Sequence, residues 1–459
     1  MSGRPRCPSR PSGPGFRTHD DLAPTDPRLH KEKANAGAFR PLDAGFVAKH
    51  HGSAGAGGTS GCWRRQVASR ADAAMSHKRM PGARESRWLR PELQGLPTYG
   101  VAVVSPSRYA GPTYKLSSNE SPFAPNEKIV AAITQAARSA NLYPEMFGEN
   151  LAGTLAAHYG LPADRVAVAG GSLVLLQQAV QAVASPGEEV LFGWRSYEAY
   201  PIIAQTARCQ TVTVPLREHR LELQRLSEHV NAATRVVIVC SPNNPTSTDI
   251  SSDTLEAFLE ELPPTCLVIL DEAYREFSTD ATVPDGLRLQ DRFDQLLVLR
   301  TFSKAYSLAG VRIGWCAGHP DIIRALRRVA LPFTVSSLAQ AAAVAAITED
   351  TRTGQEHTAT LVQERSRVSA SLREVGFEVP ASQTNFLWLP LGDRAESFAE
   401  KCGTAGVSVR CFKGEGVRIT IGAATANDRV VDVAQSFALG TRARSSARHH
   451  EYQGNKETR

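Results

Sequence analysis

Between about residues 165 and 316, short apolar runs alternate with longer stretches of helical spacing. The runs at 166–168, 190–192, 211–214, 236–239, 267–270 and 295–299 are rich in Val, Ile and Leu. Such near-continuous apolar runs predict strands covered on both faces. Between them, 173–184, 221–230 and 252–262 have helical periodicity, with Leu223, Leu226 and Val230 on one face. Ser251 or Ser252 is suited to cap the last of these helices. Strands alternating with helices predict an α/β fold with a doubly wound layer.

The periodicity changes on either side of this layer. Ile129, Val130, Ile133 and Ala137 mark a helix over 126–139. An amphipathic helix over 320–330 runs into Pro332-Phe333-Thr334-Val335-Ser336, which breaks the chain. Helices over 337–348 and 353–375 follow, then strands over 385–389, 407–410 and 417–421. The expected organisation is an arm over 86–118, a large domain over 119–332 and a smaller C-terminal α+β domain over 333–440.

Composition changes the picture at the two ends. Residues 1–85 are rich in Gly, Pro, Arg, Ser and Ala, with few large apolar residues and no period, the composition of a disordered leader. It has no apolar core for a signal peptide. Its Arg-rich, acid-poor character also suits an organellar transit peptide. A third reading starts translation at Met75 or Met80. Residues 441–459 are polar and basic and predict a disordered tail. The net charge of +6 comes from these ends: 1–90 carry +10 and 441–459 carry +3, which leaves −7 for 91–440. The body therefore presents no nucleic-acid footprint. Eight scattered cysteines form no Cys-x-x-Cys pair, so no metal site is expected and a reducing cytoplasm is the natural compartment. No apolar run approaches the roughly 20 residues of a membrane span.

The chemistry gathers where three predicted strands end. The run 295–299 leads into Thr301-Phe302-Ser303-Lys304, with Arg312 beyond. Two hydroxyls, an amine and a guanidinium are the parts that hold a phosphorylated aldehyde, the amine as a Schiff base. The run 236–239 leads into Ser241-Pro242-Asn243-Asn244-Pro245-Thr246, and 267–270 leads into Asp271-Glu272-Ala273-Tyr274. Ligands of open α/β sheets bind at such ends. Pyridoxal phosphate needs a carboxylate on its ring nitrogen, which Asp271 supplies, and donors to its ring oxygen, which Asn244 and Tyr274 supply. The run 166–168 enters Gly170-Gly171-Ser172, where backbone N–H groups and the start of a helix can meet an anion.

These stretches, read as KLSSNESPF (115–123), SPNNPT (241–246), DEAYREF (271–277) and TFSKAYSLAGVRIGW (301–315), resemble the fold-type I pyridoxal-phosphate aminotransferases. The likeness is to the histidinol-phosphate aminotransferase family, above all its actinobacterial-type aromatic (phenylalanine) branch, and covers roughly 88–439 in order. Because it begins near Trp88, the later translation start is the favoured reading of the leader. The resemblance implies a large mixed, mostly parallel sheet domain, and a transaminase in which Lys304, Asp271 and Tyr274 are catalytic. It implies cofactor contacts from Asn244, Tyr197 (stacked on the ring), Gly171, Ser172, Leu173, Thr301, Ser303 and Arg312. Tyr143 would reach the phosphate of the other subunit, so the resemblance also implies a homodimer with shared active sites. Arg418 and Arg410 would grip substrate anions, with Ser121 nearby.

For the substrate, the resemblance offers two branches. Histidinol-phosphate enzymes commonly have Asn or Tyr where this chain has Ser121, and often an acidic residue where it has Leu173-Val174. WLRPELQGLPTY (88–99), FGWRSYEAYP (192–201), NNPTST (243–248) and PFTVSS (332–337) are similar to the aromatic branch. The expected reaction moves the amino group of Phe, Tyr or Trp to 2-oxoglutarate. Histidinol phosphate is the alternative, and a related decarboxylase a further one. A cofactor-binding transcription regulator would need a helix-turn-helix module, and the Pro/Gly-rich residues 1–85 have no helical period.

Overall fold

In the computed structural model, the described residues are 111–349 and 351–454, together with Trp88, Arg90, Leu93 and Leu96. Residues 1–85 and most of the 86–118 arm lie outside them. The strands are β1 (Tyr114–Leu116), β2 (Val166–Ala169), β3 (Glu189–Trp194), β4 (Gln210–Pro215), β5 (Thr234–Cys240), β6 (Leu267–Asp271), β7 (Leu296–Thr301), β8 (Gly314–Ala317), β9 (Phe386–Leu389), β10 (Val407–Phe412) and β11 (Gly416–Thr420). The large sheet has the order β2-β8-β7-β6-β5-β3-β4. Only β8 runs against its neighbours; β3 to β7 pair in parallel.

Side-chain alternation in the central strands decides which way the functional residues face. Val236, Ile238 and Cys240 pack on one side with Leu267, Ile269, Leu297 and Leu299. Val237, Val239, Val268, Leu270, Leu296 and Val298 pack on the other. Each buried side chain of this kind contributes about 1.5–3 kcal/mol. Asp271 and Thr301 continue the first series by the two-residue period. The ends of β5, β6 and β7 thus present Cys240, Asp271 and Thr301 on one face, towards helix Ser172–Val183.

Behind this edge lies a buried ion-pair cluster. Arg300 donates from Nε to Glu272 Oε2 at 2.8 Å and from Nη2 to Asp285 Oδ1 at 2.7 Å. It ties the residue after Asp271 to the strand that leads into Lys304.

The small sheet has the order β1-β10-β11-β9, covered by helices Thr351–Glu374, Ala395–Thr404 and Ala424–Gly454. Three boundaries differ from expectation. Helix Ser337–Thr348, assigned above to the small domain, packs against helix Glu127–Ala137 and shares a buried core with Trp315 and Val168 of the large sheet through Ala339, Ala342 and Ala346. Its small residues let it lie close against helix Glu127–Ala137, and the break at 332–336 is a turn within that layer. Tyr114–Leu116, assigned to the arm, is an edge strand parallel to β10. The last helix runs to Gly454, past residue 440, where the small domain was expected to end. Among the described residues, no helix is long and apolar enough to cross a membrane.

Candidate active site

A cavity of about 290 Å³ opens where the two sheets meet, and its wall includes Lys304, Asp271, Asn244, Tyr274, Arg312 and Arg418. Lys304 follows the end of β7 and donates from Nζ to Ser118 O at 3.2 Å. Burial pushes its amine down to about 7, helped by the positive charges of Arg418 and Arg312 and opposed by Glu120 and Asp271. A lysine neutral near pH 7 can act as nucleophile or base.

Asp271 closes β6. Its Oδ2 accepts from the Tyr200 hydroxyl at 2.7 Å and its Oδ1 from the Ala273 amide at 3.1 Å. Burial raises its pKa, while Tyr200, Ala273 and the Lys304 charge hold it down. Tyr274 is buried and accepts from Asn119 Nδ2 at 2.8 Å, which leaves its own proton to give. Burial raises its pKa, so the phenol stays protonated. Asn244 accepts on Oδ1 from Arg418 Nη1. An arginine only donates, so this contact fixes the amide and leaves Nδ2 to the cavity.

At the other end of the cavity stands an anion cradle. Thr301 Oγ1 and Ser303 Oγ lie 3.0 Å apart, and Arg312 Nη1 reaches Ser303 Oγ at 3.5 Å. Gly171 precedes helix Ser172–Val183 with φ +113, and among the described residues no side chain caps this helix start. A Cβ on Gly171 would lie 2.8 Å from Arg312 Nη2, and one on Gly314 would lie 2.2 Å from Ser172 N. Both glycines therefore let the turn close on the arginine and on β8. Uncapped N–H groups, two hydroxyls and a guanidinium fit a phosphate. With the lysine and aspartate, the set fits pyridoxal phosphate as a whole.

Arg410 and Arg418 are direct cross-strand neighbours on β10 and β11, and both line the cavity. Arg418 donates from Nη2 to Ser117 O at 2.7 Å. Arg410 is engaged by Glu198, with Nη2 at 2.9 and 2.7 Å from the two carboxylate oxygens. Tyr197 lines the cavity with its ring edge-on to Tyr200, at 5.6 Å between centroids. Gly171, Ser172 and Leu173 line it as well.

Two expected residues stand elsewhere. Ser121 lies outside the cavity wall, because its Oγ accepts from the Phe123 amide and from Ser307 Oγ at 2.8 Å. Its hydroxyl shapes a turn instead of facing substrate. Tyr143 is 83% exposed and rests on Phe333, with centroids 4.8 Å apart. Sequence reasoning also missed residues. The 117–119 segment supplies a carbonyl to Arg418, a carbonyl to Lys304 and the Asn119 amide to Tyr274. Its signal was present in KLSSNESPF, four residues of which line the cavity. Tyr200 was hidden because a fully buried aromatic in an apolar helix reads as core.

A mostly parallel sheet that gathers a lysine, an aspartate and a phosphate cradle along one edge defines a fold-type I pyridoxal-phosphate-dependent transaminase. The chain belongs to the aminotransferase class I and II family, whose model matches residues 112–437. Among its relatives is the aromatic amino acid aminotransferase of Streptomyces coelicolor, 46% identical over 352 residues, which are 76% of this chain and 97% of that protein. The aromatic amino acid aminotransferase of Thermobifida fusca is 44% identical over 356 residues, 77% of this chain and 98% of its own. Among solved structures, the histidinol-phosphate aminotransferase of Sinorhizobium meliloti, in complex with pyridoxal-5'-phosphate, superposes with a TM-score of 0.72. That pair is 27% identical, and the match covers 78% of this chain and 99% of the other. The family implies pyridoxal phosphate as cofactor and small amino and keto acids as substrates.

Proposed function

We propose that this chain is an aromatic amino acid aminotransferase that passes the amino group of Phe, Tyr or Trp to 2-oxoglutarate, with pyridoxal 5'-phosphate held by Lys304. The observation that carries the reading is Lys304 in the cavity wall with Asp271 and the 301–312 cradle. Identity of 44–46% to relatives named for aromatic amino acids, over nearly their whole length, supports the substrate class. Leu173, Leu176 and Tyr197 in the cavity wall suit an apolar side chain.

When bound, pyridoxal phosphate supplies an aldehyde that takes up the amino group and a ring that stores the electron pair released at Cα. This chain's residues do the rest. Lys304 Nζ, neutral near pH 7, accepts the Cα proton and returns it on the other side of the reaction. Asp271, held from both sides, offers its carboxylate to a protonated ring nitrogen. Tyr274 and the Asn244 amide donate to the ring oxygen. Thr301, Ser303, Arg312 and the N–H groups at the start of helix Ser172–Val183 hold the phosphate. Arg418 takes the substrate carboxylate.

Histidinol phosphate is a second reading, because Arg410 and Arg418 stand side by side and could receive a phosphate. Single-turnover spectroscopy of the cofactor-loaded enzyme separates the two. Phenylalanine is expected to convert the bound cofactor to its amine form rapidly, and histidinol phosphate slowly. The reverse order would make this a histidinol-phosphate enzyme.

Leu142 (65% exposed), Tyr143 and Leu331 (73%) form an apolar patch around Phe333. A second copy of the chain covers this patch in our reading and receives Tyr143 at its cofactor phosphate. Analytical ultracentrifugation is expected to give a dimer; a monomer at working concentration would remove Tyr143 from the site. Free cysteines at 209, 240, 266, 316, 402 and 411 fit a reducing compartment, and we place the enzyme in the cytoplasm, where cell fractionation would find it.

A further inference from the structure

We propose that Glu198 sets the substrate range of this site: by closing an ion pair on Arg410, it turns away amino donors whose distal end is a dianion. The inference rests on the aromatic reading and gives it a physical cause.

Two guanidiniums opposite each other on neighbouring strands repel. The chain relieves the two in different ways. Arg418 meets a side-chain amide and a backbone carbonyl. Arg410 meets a carboxylate at 2.7 Å, with both side chains largely shielded at 13% and 29% exposure. Its charge is cancelled at the wall of the cavity. A shielded pair is screened less than a surface one and is correspondingly harder to open.

The carboxylate is also held in place. Glu198 stands at the start of helix Ala199–Thr206, where the helix dipole favours a negative charge. Tyr197 before it lines the cavity, and Tyr200 after it holds Asp271. Three residues earlier, Arg195 pairs with Glu415 on the hairpin of β10 and β11, and its guanidinium lies 4.3 Å over the Trp194 ring. The 194–200 segment is thus fastened twice to the hairpin that carries Arg410 and Arg418. A phosphate arriving at Arg410 would have to break the pair and stand beside the displaced Glu198. An aromatic side chain makes no demand on either charge.

The test is steady-state selectivity in the cofactor-loaded enzyme, read as kcat/KM for histidinol phosphate divided by kcat/KM for phenylalanine. Glu198→Gln keeps the shape and frees the Arg410 charge; it is expected to raise this ratio by about tenfold or more. Glu198→Ala serves the same purpose should the Gln variant fail to fold. Adding Arg410→Gln to either is expected to abolish the gain, which a merely structural role of Glu198 would not predict. A wild-type enzyme that prefers phenylalanine, with an unchanged ratio in the folded Glu198 variant, overturns this inference alone. A gain that persists without Arg410 overturns it as well. A wild-type enzyme that prefers histidinol phosphate overturns the aromatic reading itself.

Discussion

With Lys304 replaced by alanine, kcat is expected to fall by about 10^4-fold or more, since both the covalent attachment point and the proton-transferring base are lost. Borohydride treatment would then no longer fix the cofactor to the protein. Lys304→Arg should be nearly as damaging, because a guanidinium stays charged and can neither attack an aldehyde nor accept a proton. The wild-type pH dependence follows from the same group. Its amine is held at about 7 by burial and by Arg418 and Arg312. Below that pH it is protonated and inert; above it the neutral form dominates. Covalent capture of pyridoxal phosphate by the cofactor-free protein should rise about tenfold per pH unit up to about 7 and then level off. An ordinary lysine would keep gaining rate to about 10.4. A Lys304→Ala protein within tenfold of wild type would require another base in the cavity.

The residues proposed to carry this chemistry were legible as candidates because they end strands. An apolar run that stops at a polar cluster announces a sheet edge, and Asp271, Asn244 and Lys304 each follow such a run. The candidate phosphate turn was legible for a related reason: a strand, two glycines and a helix leave few conformations. What stayed hidden depends on contacts between distant segments. Nothing local to 117–119 says that its carbonyls meet Lys304 and Arg418, which lie more than 180 positions away. Nothing in the sequence around Arg410 says that Glu198, from the other domain, will neutralise it. The domain boundary was misplaced for the opposite reason. Pro332 to Ser336 carries a strong local turn signal, yet the following Ala-rich helix returns to the core of the large domain, where its small side chains lie close against helix Glu127–Ala137. Local pattern decides where an element stops; packing decides which layer it joins.

Asp271 carries the second large effect, and its charge can be separated from its hydrogen bonds. Asp271→Ala is expected to lower kcat by about 10^3-fold, since losing one partner of a buried charge pair costs about 3–5 kcal/mol. Asp271→Asn keeps one accepting oxygen for the Ala273 amide and turns its Nδ2 to the Tyr200 hydroxyl, which can accept, but it carries no charge. It should fall nearly as far if charge at the ring nitrogen is what matters; near-wild-type activity in the Asn variant would assign Asp271 a positioning role only. Tyr200→Phe is the milder companion. It removes one donor to the carboxylate and keeps the ring packed against Tyr197 and Phe192. A hydrogen bond to a charged group contributes about 1.5–3 kcal/mol, so a loss of about ten- to hundredfold in kcat is expected. Tyr200 also holds the Asp271 pKa down against burial. Without that donor the carboxylate takes up its proton at a higher pH, and the acid limb of the activity profile should move upward. An acid limb that stays in place in Tyr200→Phe would mean that Tyr200 supports the packing of helix Ala199–Thr206 rather than the charge of Asp271.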